Sequence, residues 1–316
     1  MKNSPTIKPK VGLALGSGSA RGWSHIGIIK ALEAANIEVD VVCGCSIGAV
    51  VGAAYANDRL PHLEAGVRKL TQWGMLQFFE LSLGVRGFID NKRLNGFFEE
   101  YVCSSNQDIH SLKKNFATVA TELKSGREVW FNEGPVGDAI WASFALPGLF
   151  APFNHQGKWL VDGGLVNPVP VSLCRAMGAD IVIAVNLNGD LVGHRSQLQN
   201  HAPDRKEVVT DNNKEIPLVD TLTQLIKKTS LSLFSPDASN GINPPNLIET
   251  MAASINITQD FITRSRMAGD PPDIMLSPRL SQIGLLEFDR GPEAIEEGRA
   301  CVERMLPEIT YLLQQI

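Results

Sequence analysis

Gly44-Cys45-Ser46-Ile47-Gly48 sets one serine between two glycines, after the apolar run Val39–Cys43 and before the Ala-rich apolar run Ile47–Tyr55. A G-x-S-x-G between strand and helix is a nucleophile elbow: the tight turn pushes the hydroxyl out above the sheet, and the glycines make room for a strained backbone. The helix N-terminus behind it supplies a positive dipole and N–H groups without helical partners. Ser46 is the candidate nucleophile, with Gly44 and Gly48 as motif positions. The bland alternative is a glycine turn that packs a helix on a sheet.

One β-α unit earlier, Gly16-Ser17-Gly18-Ser19-Ala20-Arg21-Gly22 again joins a strand to a helix. A nucleotide-phosphate loop is one reading, but Arg21 breaks the G-x-G-x-x-G spacing and no G-K-[ST] follows. Asp40 also lies at the start of the second strand rather than at its end. An oxyanion hole is the other reading, because small residues let successive N–H groups converge on a developing negative charge. The donors are then Ser17, Gly18 and Ser19, with Ile47 after the nucleophile, and Gly16 and Gly22 frame the loop.

The third signal is Asp162-Gly163-Gly164, an acid closing the apolar run Lys158–Val161. Asp-Gly alone is a common turn; beside the other two signals it becomes a candidate base. Chain order in a G-x-S-x-G hydrolase is Ser, acid, His. After Asp162 only His194 and His201 remain, both in polar sequence, while His25, His62, His110 and His155 sit in helix, surface or turn context. A Ser46–Asp162 dyad is the simpler arrangement, and it asks burial to raise an acid whose free pKa is near 3.9.

These residues need a framework that brings three loops to one place. Val11–Leu15, Val39–Cys43 and Ile181–Leu187 read as short buried strands, and Ser24–Ala35 as a helix with Asn36 as its left-handed stop. Phe116–Leu123 and Arg127–Asn132 flank a turn at Ser125-Gly126, and a second turn lies at His155-Gln156-Gly157. Pro61–Leu70, Asn91–Val102, Pro135–Ala145, Val171–Met177, Asn246–Met267 and Pro292–Gln314 read as helices, and Asp273–Leu276 as a last strand. This order predicts an α/β fold with a mainly parallel central sheet. The chain divides into a flexible N-terminus (1–10), a catalytic domain (11–187), a polar insertion or flap (188–245) carrying a weak helix within Leu218–Leu233, and a C-terminal part (246–316) that completes the fold.

With 316 residues, 44% hydrophobic and 20% charged, the composition is that of a globular protein. A net charge of −5 argues against a nucleic-acid partner. Five scattered cysteines read as buried, inert thiols, and Cys43 and Cys45 have no second pair at zinc spacing. No metal or organic cofactor is expected. The N-terminus lacks the apolar core of a signal peptide, and Val41–Ala56 is too short to span a bilayer. The expectation is a soluble cytoplasmic protein, with peripheral contact at the inner membrane left open.

Taken together, the loop ending Ala20-Arg21-Gly22, the elbow Gly44–Gly48 and Asp162-Gly163-Gly164 resemble the patatin-like phospholipase family in order and approximate spacing. The run Gly12–Gly27 looks closest to bacterial RssA-type members. The resemblance is strong over about residues 10–187 and weaker through Pro272–Ile274 and Phe288–Gly298. It implies a three-layer patatin-like fold with helices on both sheet faces. It also implies a lipid or fatty-acyl ester as substrate, Ser46 as nucleophile, Asp162 as base, and Arg21 steadying the loop and the oxyanion. Ser17 and Ser19 depart from the family's glycines; serine keeps the N–H but disfavours positive φ. The alternative to a lipid hydrolase is a catalytically weak regulatory or interaction module on the same fold.

Overall fold

The computed structural model describes residues 8–70, 91–190 and 247–315. From residue 191 on, the polar insertion expected over 188–245, with its weak helix, lies outside the described residues. Most of the described residues belong to one compact unit, residues 1–194 and 256–316. Of the second unit, Arg195–Ile255, only residues 247–255 are described, as helical chain.

Eight strands make one mixed sheet: β1 (Val11–Leu15), β2 (Val41–Gly44), β3 (Asn115–Glu122), β4 (Glu128–Phe131), β5 (Phe153–His155), β6 (Lys158–Asp162), β7 (Ile181–Val185) and β8 (Ile274–Leu276). The order is β5-β6-β3-β2-β1-β7-β8, with β4 paired off this path to Thr118–Thr121 of β3. The core β3-β2-β1-β7-β8 is parallel, whereas β4, β5 and β6 join through antiparallel pairs. Buried on both faces, β1, β2 and β7 read as continuous apolar runs, as parallel strands covered by helices must.

The helices are α1 (Ser24–Ala34), α2 (Ile47–Ala56), α3 (Leu60–Lys69), α4 (Asn91–Tyr101), α5 (Val136–Phe144), α6 (Val171–Ala176), α7 (Leu247–Gly269) and α8 (Gly291–Gln314). Side chains alternate along the strands into two cores. Leu13, Leu15, Val42, Phe116 and Ile183 pack with α1, α2, α5 and α8. Ala14, Val41, Cys43, Ala117 and Val182 pack with α6, and Met267 of α7 lies against the same cluster. The result is three layers, helix on sheet on helix. Asn36 does stop the first helix, at φ 58°, and all five cysteines are buried free thiols. No helix among the described residues is long and apolar enough to cross a membrane.

Two differences from the sequence reading matter for the site. Asp162 ends not a strand of the parallel core but the antiparallel β6, and it stands opposite Ala120 of β3. Helix α7 buries the polar Gln259, Asp260 and Thr263 and leaves Ile257 and Phe261 exposed. Its apolar periodicity therefore does not mark its buried face.

Candidate active site

Register puts the three signals at one edge. Leu15 pairs with Gly44, so the loops that follow β1 and β2 leave the sheet side by side. Gly44 in turn pairs with Thr118, and β3 runs on four residues past that point. The antiparallel β6 returns along this extension and delivers Asp162 two residues beyond the edge.

Ser46 occupies the turn between β2 and α2 at φ 56°, ψ −120°, a strained conformation for any side-chain-bearing residue. The turn closes only because its flanks are bare. A Cβ on Gly48 would lie 2.1 Å from the Leu15 carbonyl oxygen, and one on Gly44 would lie 2.4 Å from that of Gly48. The Ser46 N–H donates to Ser143 Oγ of α5 at 2.9 Å. The Ser46 hydroxyl donates to Asp162 Oδ2 at 2.5 Å.

Asp162 is fully buried. Its other carboxylate oxygen accepts the Gly164 N–H at 2.7 Å, its carbonyl accepts the Thr121 hydroxyl at 2.8 Å, and its own N–H donates to Ala145. Burial pushes its pKa up to about 6, against the opposing pull of the hydrogen bonds from Ser46 and Gly164. The described histidines make no hydrogen bond to Ser46 or Asp162. His25, buried in α1, has its pKa lowered by burial to about 4 and is neutral. Its Nε2 lies 2.8 Å from the Gly16 carbonyl oxygen, so the ring donates there and braces the loop from below.

The loop's donors differ in availability. The Ser17 N–H is taken up by the Pro168 carbonyl at 2.8 Å, which removes Ser17 from the expected set of donors. The N–H groups of Gly18, Ser19 and Ile47 have no carbonyl partner among the described residues. Ser19 reaches φ 52°, the conformation that serine disfavours, at the start of a short 3₁₀ helix, Ser19–Trp23.

The sequence profile of patatin-like phospholipases matches residues 13–175, just over half of the chain. The chain belongs to the patatin-like phospholipase family. An NTE family protein of Mycobacterium tuberculosis is 31% identical over 94% of this chain and 91% of its own length. A lysophospholipase of Emericella nidulans is 28% identical over 95% of this chain, which spans 18% of that longer protein. Among solved structures, VipD from Legionella pneumophila aligns with a TM-score of 0.46 at 13% identity, covering 96% of this chain and 67% of that one.

As a member of this patatin-like family, the chain holds Arg21 differently from a surface residue over the first helix. Arg21 is buried behind the loop and donates to Asn256 Oδ1 of α7 at 3.1 Å. Gly16, Gly22, Gly163 and Gly164 are all close-approach positions; a Cβ on Gly163 would meet the Val119 carbonyl oxygen at 2.1 Å. Three participants escaped the sequence reading: Ser143, Gln259 and Asn188. Gln259 Oε1 accepts the Ser17 hydroxyl at 2.8 Å and the Asn188 side-chain amide at 3.2 Å. A signal existed for Gln259. It and Thr263 are polar and four apart, so they share a helix face, and both are buried in the structure.

Proposed function

We propose that this protein is a serine lipid acyl hydrolase that cleaves carboxylic esters of phospholipids or related lipids through a Ser46–Asp162 dyad. One observation carries the reading: the Ser46 hydroxyl, on a strained elbow, lies 2.5 Å from a buried carboxylate. A carboxylate with a pKa raised to about 6 is ionised at neutral pH yet a stronger base than an ordinary aspartate. Asp162 accepts the hydroxyl proton as Ser46 attacks the ester carbonyl. The oxyanion takes hydrogen bonds from Gly18, Ser19 and Ile47, whose N–H groups carry no carbonyl partner among the described residues. The protonated Asp162 gives its proton to the leaving oxygen, and water then deacylates Ser46 with Asp162 again as base.

The names of the relatives, phospholipase and lysophospholipase, support a lipid substrate. The loop serines that suggested a regulatory module do not argue for one. The Ser19 N–H has no carbonyl partner among the described residues, and the Ser17 hydroxyl turns away to Gln259. A fluorophosphonate probe, run beside hydrolysis of a lysophospholipid, phospholipid and short-ester panel, tests the reading. Wild type should be labelled and should turn over at least one lipid ester, with both lost in Ser46→Ala. Labelling that persists in Ser46→Ala, or a folded wild type that neither labels nor hydrolyses, overturns it.

A further inference from the structure

The ribbon that delivers Asp162 continues past it. Extending the β3–β6 register by one pair sets Leu123 opposite Trp159, and the Leu123 N–H donates to the Trp159 carbonyl at 2.8 Å. Residues directly opposite in an antiparallel pair present their side chains to the same face. Both are exposed, at 54% each, while the preceding pair on that face, Thr121 and Val161, is buried. The ribbon's end is thus an exposed apolar pair, one member aromatic.

Three exposed cations lie beside it along the ribbon: Lys124 and Arg127 in the β3–β4 turn and Lys158 next to Trp159. Arg68, Arg175, Arg290 and Arg304 each engage a carboxylate elsewhere on the protein. Lys124, Arg127 and Lys158 make no ion pair among the described residues. The acids in the same stretch of ribbon are both engaged: Glu122 accepts the Ser125 hydroxyl, and Glu128, next to Arg127, pairs with Arg266. A chain with net charge −5 thus carries a cationic tip.

The tip lies on the catalytic side. Ala120 faces Asp162, and Leu123 is three residues farther along the strand, about 10 Å at the usual rise of a β-strand. We infer that the Leu123–Trp159 tip, with Lys124, Arg127 and Lys158 next to it along the ribbon, is a docking surface for an anionic lipid bilayer. The tryptophan and leucine enter the interface, and the three cations meet anionic head groups. Tryptophan suits the boundary because its ring is apolar and its N–H polar. Each cation near an anionic surface is worth about a fivefold gain in partition. This rests on the lipid hydrolase reading for its purpose but not for its test.

The test is sedimentation with phosphatidylcholine vesicles containing anionic phosphatidylserine, or none, using the full chain with Ser46→Ala so that binding is read without turnover. The parent should bind anionic vesicles at least tenfold more tightly than neutral ones. Leu123→Ser with Trp159→Ser should weaken that binding at least tenfold. A second variant, Lys124→Glu with Arg127→Glu and Lys158→Glu, should abolish the anionic preference. In a Ser46 background, both should keep wild-type hydrolysis of a short soluble ester and lose activity on vesicles. Unchanged vesicle binding in both variants overturns the inference, as does equal binding to both vesicle types. A concentration-dependent dimer that the Trp159 variant loses also overturns it, by making a second copy the occupant. Absent fluorophosphonate labelling with intact anionic binding would instead overturn the hydrolase reading and leave the docking surface standing.

Discussion

The Ser17 hydroxyl donates to Gln259 Oε1 at 2.8 Å, joining the loop after the first strand to a helix 242 positions away. Both groups are buried, and the same oxygen accepts from Asn188, which follows β7. Ser17 thus gives the loop a tether that a glycine there would lack. Gly18, next in the chain, is a proposed oxyanion donor, so the tether holds its peptide plane. Ser17→Ala and Gln259→Leu should each lower kcat about fivefold, near the net worth of one buried hydrogen bond, with KM little changed. The double variant should lose little more than either single one. Fully additive losses, or a change confined to KM, would show that the bond does not position the loop.

Asp162 gives the pH dependence its sign. As a base it must be ionised, so kcat/KM should rise with pH through an apparent pKa of about 6 and level off above 7. His25, neutral with its pKa lowered to about 4, contributes no step in that range. His25→Phe should lower activity through the loop yet leave the profile's midpoint where it was. A midpoint that moves with His25, or a profile flat from pH 5 to 7, would contradict the dyad.

The same shift makes a stability claim. A carboxyl group with pKa about 6 when folded and about 4 when unfolded binds more protons in the native state between those values. Stability from this group is therefore full below pH 4, falls as pH rises to 6, and stays lower above it. Asp162→Asn should abolish activity and raise stability at pH 7.5 by about 1–3 kcal/mol, with the gain vanishing near pH 4. Urea denaturation at the two pH values measures it; equal differences at both would mean that charge burial is not the cause.

How much of this was legible beforehand depended on the range over which each signal acts. Ser46 and the loop after β1 were readable because glycine spacing, strand and helix lie within a dozen residues. Asp162 was readable as a candidate, but its approach along an antiparallel strand was not. The sequence around Val161 says apolar strand and turn, and nothing local fixes which way that strand runs beside β3. The burial of Arg21 was not legible, because its partner Asn256 comes from α7, 235 positions away. Gln259 was hidden by the apolar periodicity of its own helix, which points Phe261 to solvent. The one donor misread, Ser17, turned on a carbonyl from Pro168, a contact that no local pattern encodes.

Ser46 carries strain that chemistry needs and folding does not. At φ 56°, ψ −120° a side-chain-bearing residue costs about 1–3 kcal/mol, and glycine at the same angles costs far less. Ser46→Gly should therefore be inactive and more stable than Ser46→Ala, which keeps the strained Cβ, by about 1 kcal/mol or more. Thermal unfolding of the two variants side by side compares proteins that have both lost the hydroxyl and its bond to Asp162. Equal midpoints would mean that the elbow is relaxed.

Gly18 offers the most direct probe of the oxyanion loop, because the structure supplies both the lesion and its repair. A Cβ there would lie 2.6 Å from Leu187 Cδ1 and 2.7 Å from Leu187 Cβ. Gly18→Ala must therefore push the loop off Leu187 and displace the Gly18 and Ser19 N–H groups together. Loss of such donors lowers kcat by roughly 10²-fold, so a fall of that order is expected with KM nearly constant. The contact is with one side chain, Cβ included, rather than with backbone, so only its complete removal opens the space. Leu187→Gly alone removes a buried side chain from the core and should cost roughly 3–6 kcal/mol of stability while leaving most of the activity. Combined with Gly18→Ala it should restore at least tenfold of the lost kcat in a less stable protein. Activity gained as stability is lost would separate loop geometry from general folding. No recovery in the folded double variant would mean that the Gly18 peptide is not a donor, leaving the oxyanion to Ser19 and Ile47.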